Sequence, residues 1–425
     1  MKVFFTTFGC KVNQYETQEM SELLCSAGFS IMNNHKEADI IIVNSCTVTA
    51  EGVRKVRQTI RKLNKENPTA IMILTGCASQ AEPHIIKDLP EINILMGNRN
   101  DTDIVDIINK YLDTHTFLNA HKNHLREDVF CGTGITKFDG HTRAFLKIQD
   151  GCDRYCAYCL IPYARGFSRS KSLEMIDKEL NALNDNGYKE IVFVGINLSD
   201  YGKNTPYSLP DALELAEKYT NIERVRLGSL EPDHITKEMI ERLAKISKLC
   251  PQFHISLQSG SDSVLKKMNR HYTSKEYEEL TINLRSAFPD ATITTDILTG
   301  FPTETEEEFL ETLEFAKKIK FEKAHIFPYS VREGTKAASL PQLQKSVKEE
   351  RAKTLTLATN ETRRKFLKEQ IGKTVNVLFE TDKPNYSEGY TKNYTPVRVY
   401  DCEGRAGQIL KVTITDATDE YCIGC

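Results

Sequence analysis

Two rhythms of apolar residues alternate along most of this chain. Runs such as Ile40-Ile41-Ile42-Val43 and Ile71-Met72-Ile73-Leu74 are short and almost wholly apolar, the pattern of parallel strands buried on both faces. Between them lie stretches with helical spacing. Over the first part the pattern predicts strands at 3–7, 39–43 and 70–74 and helices near 14–27 and 53–66, a βαβαβ order that implies a doubly wound sheet. A second alternation begins near residue 143. Strands are expected at 144–149, 190–195, 224–229, 254–258, 292–298 and 324–328, with helices at 173–186, 210–219, 236–247, 274–288 and 304–319. Six βα units imply an open, partial (β/α)6 barrel with its chemistry at the carboxyl ends of the strands. Thr303, with Glu306 three residues on, reads as the N-cap of the last helix. After Gly372 the pattern turns β-rich, with strands at 375–379, 395–399 and 409–417 and a turn at 401–404.

These patterns divide the chain into an N-terminal α/β domain (1–112), a polar linker (113–142), the barrel (143–337), a charged helical connection (338–371) and a small β-barrel (372–425). Composition adds little: 425 residues, 40% hydrophobic and 27% charged, are ordinary for a globular protein. The first residues read as a short strand and not as a signal peptide, and no run of about 18 apolar residues predicts a membrane span. A cytoplasmic protein is expected. The net charge of −3 means that any nucleic-acid partner must be met by local patches.

The twelve cysteines change the picture. A long chain with a cytoplasmic reading has little use for a disulfide framework, so they read as metal ligands. Cys152, Cys156 and Cys159 form a C-x3-C-x2-C triplet after the first barrel strand. Three thiolates at this spacing can hold an iron–sulfur cluster that ordinarily takes four, leaving one iron open to bind a substrate. Cys10, Cys46 and Cys77 stand 36 and 31 residues apart, each just past a predicted strand, where open α/β sheets gather their ligands. Cys131 reads as structural or idle, and Cys422 and Cys425 as an idle half-site.

Six motifs now carry a resemblance. Thr7-Phe8-Gly9-Cys10-Lys11-Val12-Asn13, Val43-Asn44-Ser45-Cys46-Thr47-Val48, Gly76-Cys77-Ala78-Ser79-Gln80, the triplet with its continuation Ile161-Pro162-Tyr163-Ala164-Arg165-Gly166, Ser256-Leu257-Gln258-Ser259-Gly260 and Pro328-Tyr329-Ser330 resemble the radical S-adenosylmethionine (SAM) methylthiotransferases over nearly the whole chain. The resemblance implies two 4Fe-4S clusters, one on each cysteine trio. The cluster on Cys152, Cys156 and Cys159 would bind SAM and generate a 5′-deoxyadenosyl radical; that on Cys10, Cys46 and Cys77 would carry the sulfur. It implies a TRAM-like C-terminal barrel, a tRNA substrate, an electron donor such as flavodoxin or ferredoxin, and a sulfur source. Cys10-Lys11-Val12-Asn13 looks like the branch acting on N6-threonylcarbamoyladenosine beside the anticodon. The isopentenyladenosine branch usually has Gln and Met after that cysteine, and a ribosomal-protein branch differs here too. A non-catalytic electron carrier or RNA-binding module is the reading from another class. It is disfavoured because both cysteine sets stop at three.

For SAM, the resemblance points to Tyr158 against the adenine, Gly195 and Asn197 near the amino group, and Gly300 and Phe301 on the adenine side. Ser229, Glu231 and Gln258 end strands and are expected at the barrel mouth. The family usually has Gly where this chain has Thr303. For RNA, the segment 52–65 carries six cations and no acid, and 143–171 carries six against two acids. Arg54, Arg57, Arg61, Arg165 and Arg169 are the expected phosphate contacts. The terminal barrel has a net charge of −2, so its contribution would come from Tyr386, Tyr390, Tyr394 and Tyr400 stacking on bases.

Overall fold

A computed structural model describes residues 1–47, 49–99, 101–400 and 404–425. The N-terminal sheet has six parallel strands in the order Ser30–Met32, Lys2–Thr7, Ile40–Ser45, Ile71–Gly76, Ile94–Leu95 and Leu118–Asn119. Alternation decides which helix covers which face. Ile41, Val43, Met72 and Leu74 pack under helix Ala50–Glu66 through Val53, Val56, Ile60 and Leu63. Ile40, Ile42 and Ile73 look the other way, onto Met20 and Leu24 of helix Lys11–Ser26 and Ile104 and Ile108 of helix Ile104–Thr114. The three weak strands were not foreseen, because two or three residues carry no period.

The sheet runs on to Asn119, past the expected boundary at 112. The linker beyond it is strapped down. Glu19 accepts from the backbone N–H of Thr133 (2.7 Å) and Gly134 (2.9 Å), Glu22 accepts from that of Thr136 (2.9 Å), and Ile135 and Phe138 enter the core.

The barrel strands are Arg143–Lys147, Glu190–Val194, Arg224–Leu227 continued by Ser229–Leu230, Gln252–Ile255, Thr292–Thr299 and Lys323–Pro328, all parallel. The third strand breaks at Gly228. Its first half pairs with the second strand and its second half with the fourth. The first strand ends at Lys147, and Gln149–Asp150 pairs instead with Arg169–Ser170. The last barrel helix, Glu306–Ile319, is capped by Thr305 in a reciprocal box with Glu308. Thr303 is therefore not the N-cap; it holds φ +68°.

Helix Lys345–Lys368 leads to a closed five-stranded barrel of Thr374–Lys383, Tyr386–Thr391, Pro396–Tyr400, Cys422–Gly424 and Ile409–Ala417. Most of the expected turn at 401–404 lies outside the described residues. Cys422 is not a stray half-ligand: it is buried in this small core, its thiol 3.6 Å from the Leu367 carbonyl.

Candidate iron–sulfur and SAM site

Cys10 follows the first strand of the N-terminal sheet and Cys46 the strand beside it, at the point where strand order reverses; Cys77 opens a short helix after the next. Ligands collect at such switch points. Two glycines make the approach possible. Gly9 has φ +112°, and a Cβ there would stand 3.1 Å from the Cys46 Cβ; Gly76 has φ +93°, and a Cβ would meet the Ser45 carbonyl at 2.5 Å. Asn13 locks the loops together, donating to Asn44 Oδ1 (3.1 Å) and accepting from the Cys10 thiol (3.4 Å).

Cys77 is buried, and three donors converge on its sulfur: Arg165 Nε at 3.2 Å, Asn98 Nδ2 at 3.8 Å and Asn13 Nδ2 at 3.9 Å. Burial pushes this thiol up to about 12 against the pull of Arg165, and Cys10 and Cys46 are close enough to raise it further. An all-donor surrounding suits a metal-bound thiolate, whose charge these groups stabilise. Metal binding must then displace the protons that burial retains.

The triplet loop is built similarly. Gly151, at φ +75°, admits the Phe167 carbonyl to 1.9 Å of where a Cβ would be. The Cys152 N–H donates to Gly166 (2.9 Å), the Ile161 N–H donates to the Cys159 sulfur (3.4 Å), and Arg270 Nη1 donates to the Cys156 sulfur (3.4 Å). Burial pushes Cys159 up to about 12, with Cys156 adding to it. Among the described residues no three His, Cys, Asp or Glu donors close on a single ion. Three thiols in each set match the ligand count of a cluster with one open iron.

Arg165 ties the segment after the triplet to Cys77. Its helix, Ile161–Arg165, starts two residues after Cys159 and packs on Cys77–Ala81. Arg165 is fully buried between the Cys77 sulfur and the carboxylates of Glu16 and Asp150. It is unavailable to RNA, contrary to expectation, because the fold turns it inward. Arg169 is also committed: it pairs with Asp150 (3.4 Å) and donates to the carbonyls of Arg165 and Phe167. Arg54, Arg57 and Arg61 do share an outer helix, but Arg54 pairs with Glu51 (2.6 Å), Arg57 with Asp88 (3.4 Å), and Arg61 donates to the Asp88 carbonyl (3.1 Å). Tyr390 and Tyr394 stack on each other at 4.4 Å with Arg143 over both rings, so they serve the interface with the barrel; Tyr386 and Tyr400 pack together at 5.8 Å.

The expected SAM residues do not all converge. Tyr158 packs with the fully buried Phe301 and with Tyr329, beside the triplet. Glu231 is held by Arg270, the residue that also touches Cys156, which ties the end of the third strand to the cluster loop. Asn197 is buried, its N–H donating to Gln149 Oε1 (2.8 Å), while both atoms of its side-chain amide lack partners. Orphaned buried groups of this kind fit a site completed by a ligand. Gly195 lies against Gln149, 2.9 Å from where a Cβ would be. Ser229 is exposed at the strand break, and Gln258 stands at φ +65°, bridging to the fifth strand. Gly300 is walled by Lys348, 2.5 Å from a would-be Cβ, so its place is against the connecting helix. Sequence reasoning did not assign roles to Asn13, Asn44, Glu16 or Arg270. The two asparagines flank cysteines within quoted motifs, a local signal; Glu16 and Arg270 left none.

The description Radical SAM superfamily matches residues 146–316 and Uncharacterized protein family UPF0004 matches 2–97. Threonylcarbamoyladenosine tRNA methylthiotransferase MtaB of Bacillus subtilis (strain 168) is 37% identical, the match covering 99% of this chain and 95% of the relative. The tRNA-2-methylthio-N(6)-dimethylallyladenosine synthase of Clostridium novyi (strain NT) is 34% identical over 98% of this chain and 94% of the relative. The fold is similar to that of the radical S-adenosylmethionine methyltransferase TsrM from Kitasatospora setae, with a TM-score of 0.60 at 14% identity, covering 79% of this chain and 77% of that one. Two cysteine trios in the sequence, and likeness along the full length to relatives 37% and 34% identical, place this chain in the radical SAM methylthiotransferase family.

Proposed function

We propose that this protein attaches a methylthio group to carbon 2 of N6-threonylcarbamoyladenosine in tRNA. The observation that supports the reading is the contact of Arg165, six residues beyond Cys159, with Cys77, which ties the segment following one cysteine set to a member of the other. Cys152, Cys156 and Cys159 would hold one 4Fe-4S cluster and Cys10, Cys46 and Cys77 the other. With SAM bound, such clusters supply a radical able to remove an unactivated hydrogen, and a sulfur donor. The chain's own residues hold and insulate them. Arg270 donates to Cys156, and Arg165, Asn98 and Asn13 donate to Cys77, so one sulfur of each trio is met by side-chain donors. Asn197 offers an unmet donor and acceptor to the amino-acid end of SAM.

The exposed face of helix Ala50–Glu66 and the terminal barrel, which we read as TRAM-like, would meet the RNA, and an electron donor and a sulfur source complete the partners. No helix among the described residues is long and apolar enough to cross a membrane.

Mass spectrometry of tRNA nucleosides from cells lacking, then regaining, this gene tests the reading. We expect 2-methylthio-N6-threonylcarbamoyladenosine to disappear and return; return of the methylthiolated isopentenyl nucleoside instead would overturn the substrate. In purified protein, Cys152→Ala is expected to abolish SAM cleavage. Cys46→Ala is expected to retain part of that cleavage and yield no methylthio product; full product from Cys46→Ala refutes the sulfur-carrier role.

A further inference from the structure

Helix Lys11–Ser26 starts directly after Cys10 and packs along the first barrel strand. Residues paired across neighbouring strands share a face. Arg143, Glu190 and Arg224 are in register, and Phe145 and Arg226 lie two residues along the same faces. The alternate residues, Ala144 and Leu146, are fully buried in the core that includes Ile176 and Leu180 of helix Leu173–Asp185. The other face carries the arginines, and at its base Arg143 and Arg224 meet Glu380 and the Tyr390 carbonyl of the terminal barrel.

Lys11 reaches this face. Its ammonium lies 5.7 Å from the Phe145 ring centre, and the charges it senses are Arg143, Arg226, Glu190 and Cys10. Among the described residues Lys11 makes no hydrogen bond and no ion pair. The local carboxylates are already taken. Glu190 is held by Arg226 (2.7 Å) and Glu380 by Arg143 (2.8 Å). Even so, Arg143 Nη1 and Arg226 Nη1 are buried without hydrogen-bond partners. Three arginines and a lysine thus stand against two glutamates, with Arg143 Nη1 in reach only of a shared Glu190 carboxylate (3.6 Å) and Lys11 unpaired. Buried charge in this state is costly unless something anionic completes it.

We propose that Lys11 is a specificity-determining residue that pairs with the carboxylate of the threonyl group on the substrate nucleoside. This rests on the substrate reading above and deepens it. The threonylcarbamoyl substituent ends in a carboxylate, whereas a dimethylallyl substituent has neither charge nor hydrogen-bonding atoms. A cation satisfied by the first is stripped of water for nothing by the second, so one side chain both attracts and rejects. Its position beside Cys10 holds the substituent next to the sulfur-bearing trio.

The test uses the enzyme with both clusters reconstituted and anticodon stem-loop RNAs carrying threonylcarbamoyladenosine, its carboxamide analogue, isopentenyladenosine or plain adenosine. For the unaltered enzyme we expect KM to be about tenfold or more lower for the acid than for the amide. Lys11→Gln is expected to erase that ratio, raising KM for the acid with kcat within about twofold, and Lys11→Arg to retain it. Iron content and the cluster absorption of each variant report that the neighbouring trio is intact. An unaltered enzyme that treats acid and amide alike overturns the proposal without recourse to any variant. So does a Lys11→Gln protein that weakens binding of all four RNAs equally, which would make Lys11 a backbone phosphate contact. Turnover of the isopentenyl stem-loop alone would instead overturn the substrate reading itself.

Discussion

Arg165 shows how a single side chain can serve structure and site together. Glu16 faces it in a buried cluster with Lys147 (2.6 Å from Glu16), Asp150 and Arg169. Burial alone would raise the Glu16 carboxyl; Arg165, then Lys147, outweigh it and hold the group below its ordinary value. A carboxyl depressed in the folded state adds stability above its unfolded pKa, and that stability is lost as pH falls through the acid range. Arg165→Met would leave Glu16 short of counter-charge in a dry setting and is expected to cost about 3 kcal/mol, read as a lower denaturant midpoint. Arg165→Met combined with Glu16→Gln should recover part of the loss and flatten the decline of stability below about pH 4. Equal losses in the single and double variants would show that the pair is not coupled.

At the scale of the element, the entry to helix Glu306–Ile319 separates what a local pattern can say from what it cannot. Thr303 with Glu306 and Thr305 with Glu308 both match a capping box, two residues out of step. Only the second forms, because Phe309, Leu313 and Ala316 must face the barrel core and the helix phase follows from that. Thr303 is left in the left-handed region, where a β-branched residue is strained. Thr303→Gly is therefore expected to stabilise the protein by about 0.5–1 kcal/mol, while Thr305→Ala should cost about 1 kcal/mol, both measured by urea unfolding. Most of the long strands and helices were legible because their period extends over two turns or more, although helix Ile104–Thr114 and strand Tyr386–Thr391 were not foreseen. Strands such as Ile94–Leu95 and Cys422–Gly424 were not, since their pairing comes from distant neighbours.

Across the whole molecule, the terminal barrel is fastened to the base of the catalytic one. Arg143 binds Glu380 and Tyr394 while lying over two tyrosine rings, Arg224 donates to the carbonyls of Tyr390 (3.1 Å) and Asn376 (2.9 Å), and Thr292 donates to Asn393 (2.7 Å). Arg143→Ala removes the central side chain of this interface. It is expected to speed protease cleavage of the connecting helix Lys345–Lys368 several-fold, followed by gel electrophoresis over time, without changing the far-ultraviolet circular dichroism. An unchanged cleavage rate would mean that the backbone contacts of Arg224 suffice.

The chain order of strands, the cysteine after each of three of them and the close-set triplet followed from the sequence by itself, since periodicity and short-range ligand spacing are properties of neighbouring residues. Which cations meet solvent and which face a cysteine or the terminal barrel was decided only in three dimensions. Arg165, Arg169 and the paired Tyr390 and Tyr394 read alike in sequence as groups suited to RNA, and Lys11 only as part of a motif. Their separate fates depend on what the fold sets opposite each of them, and on how much water it removes.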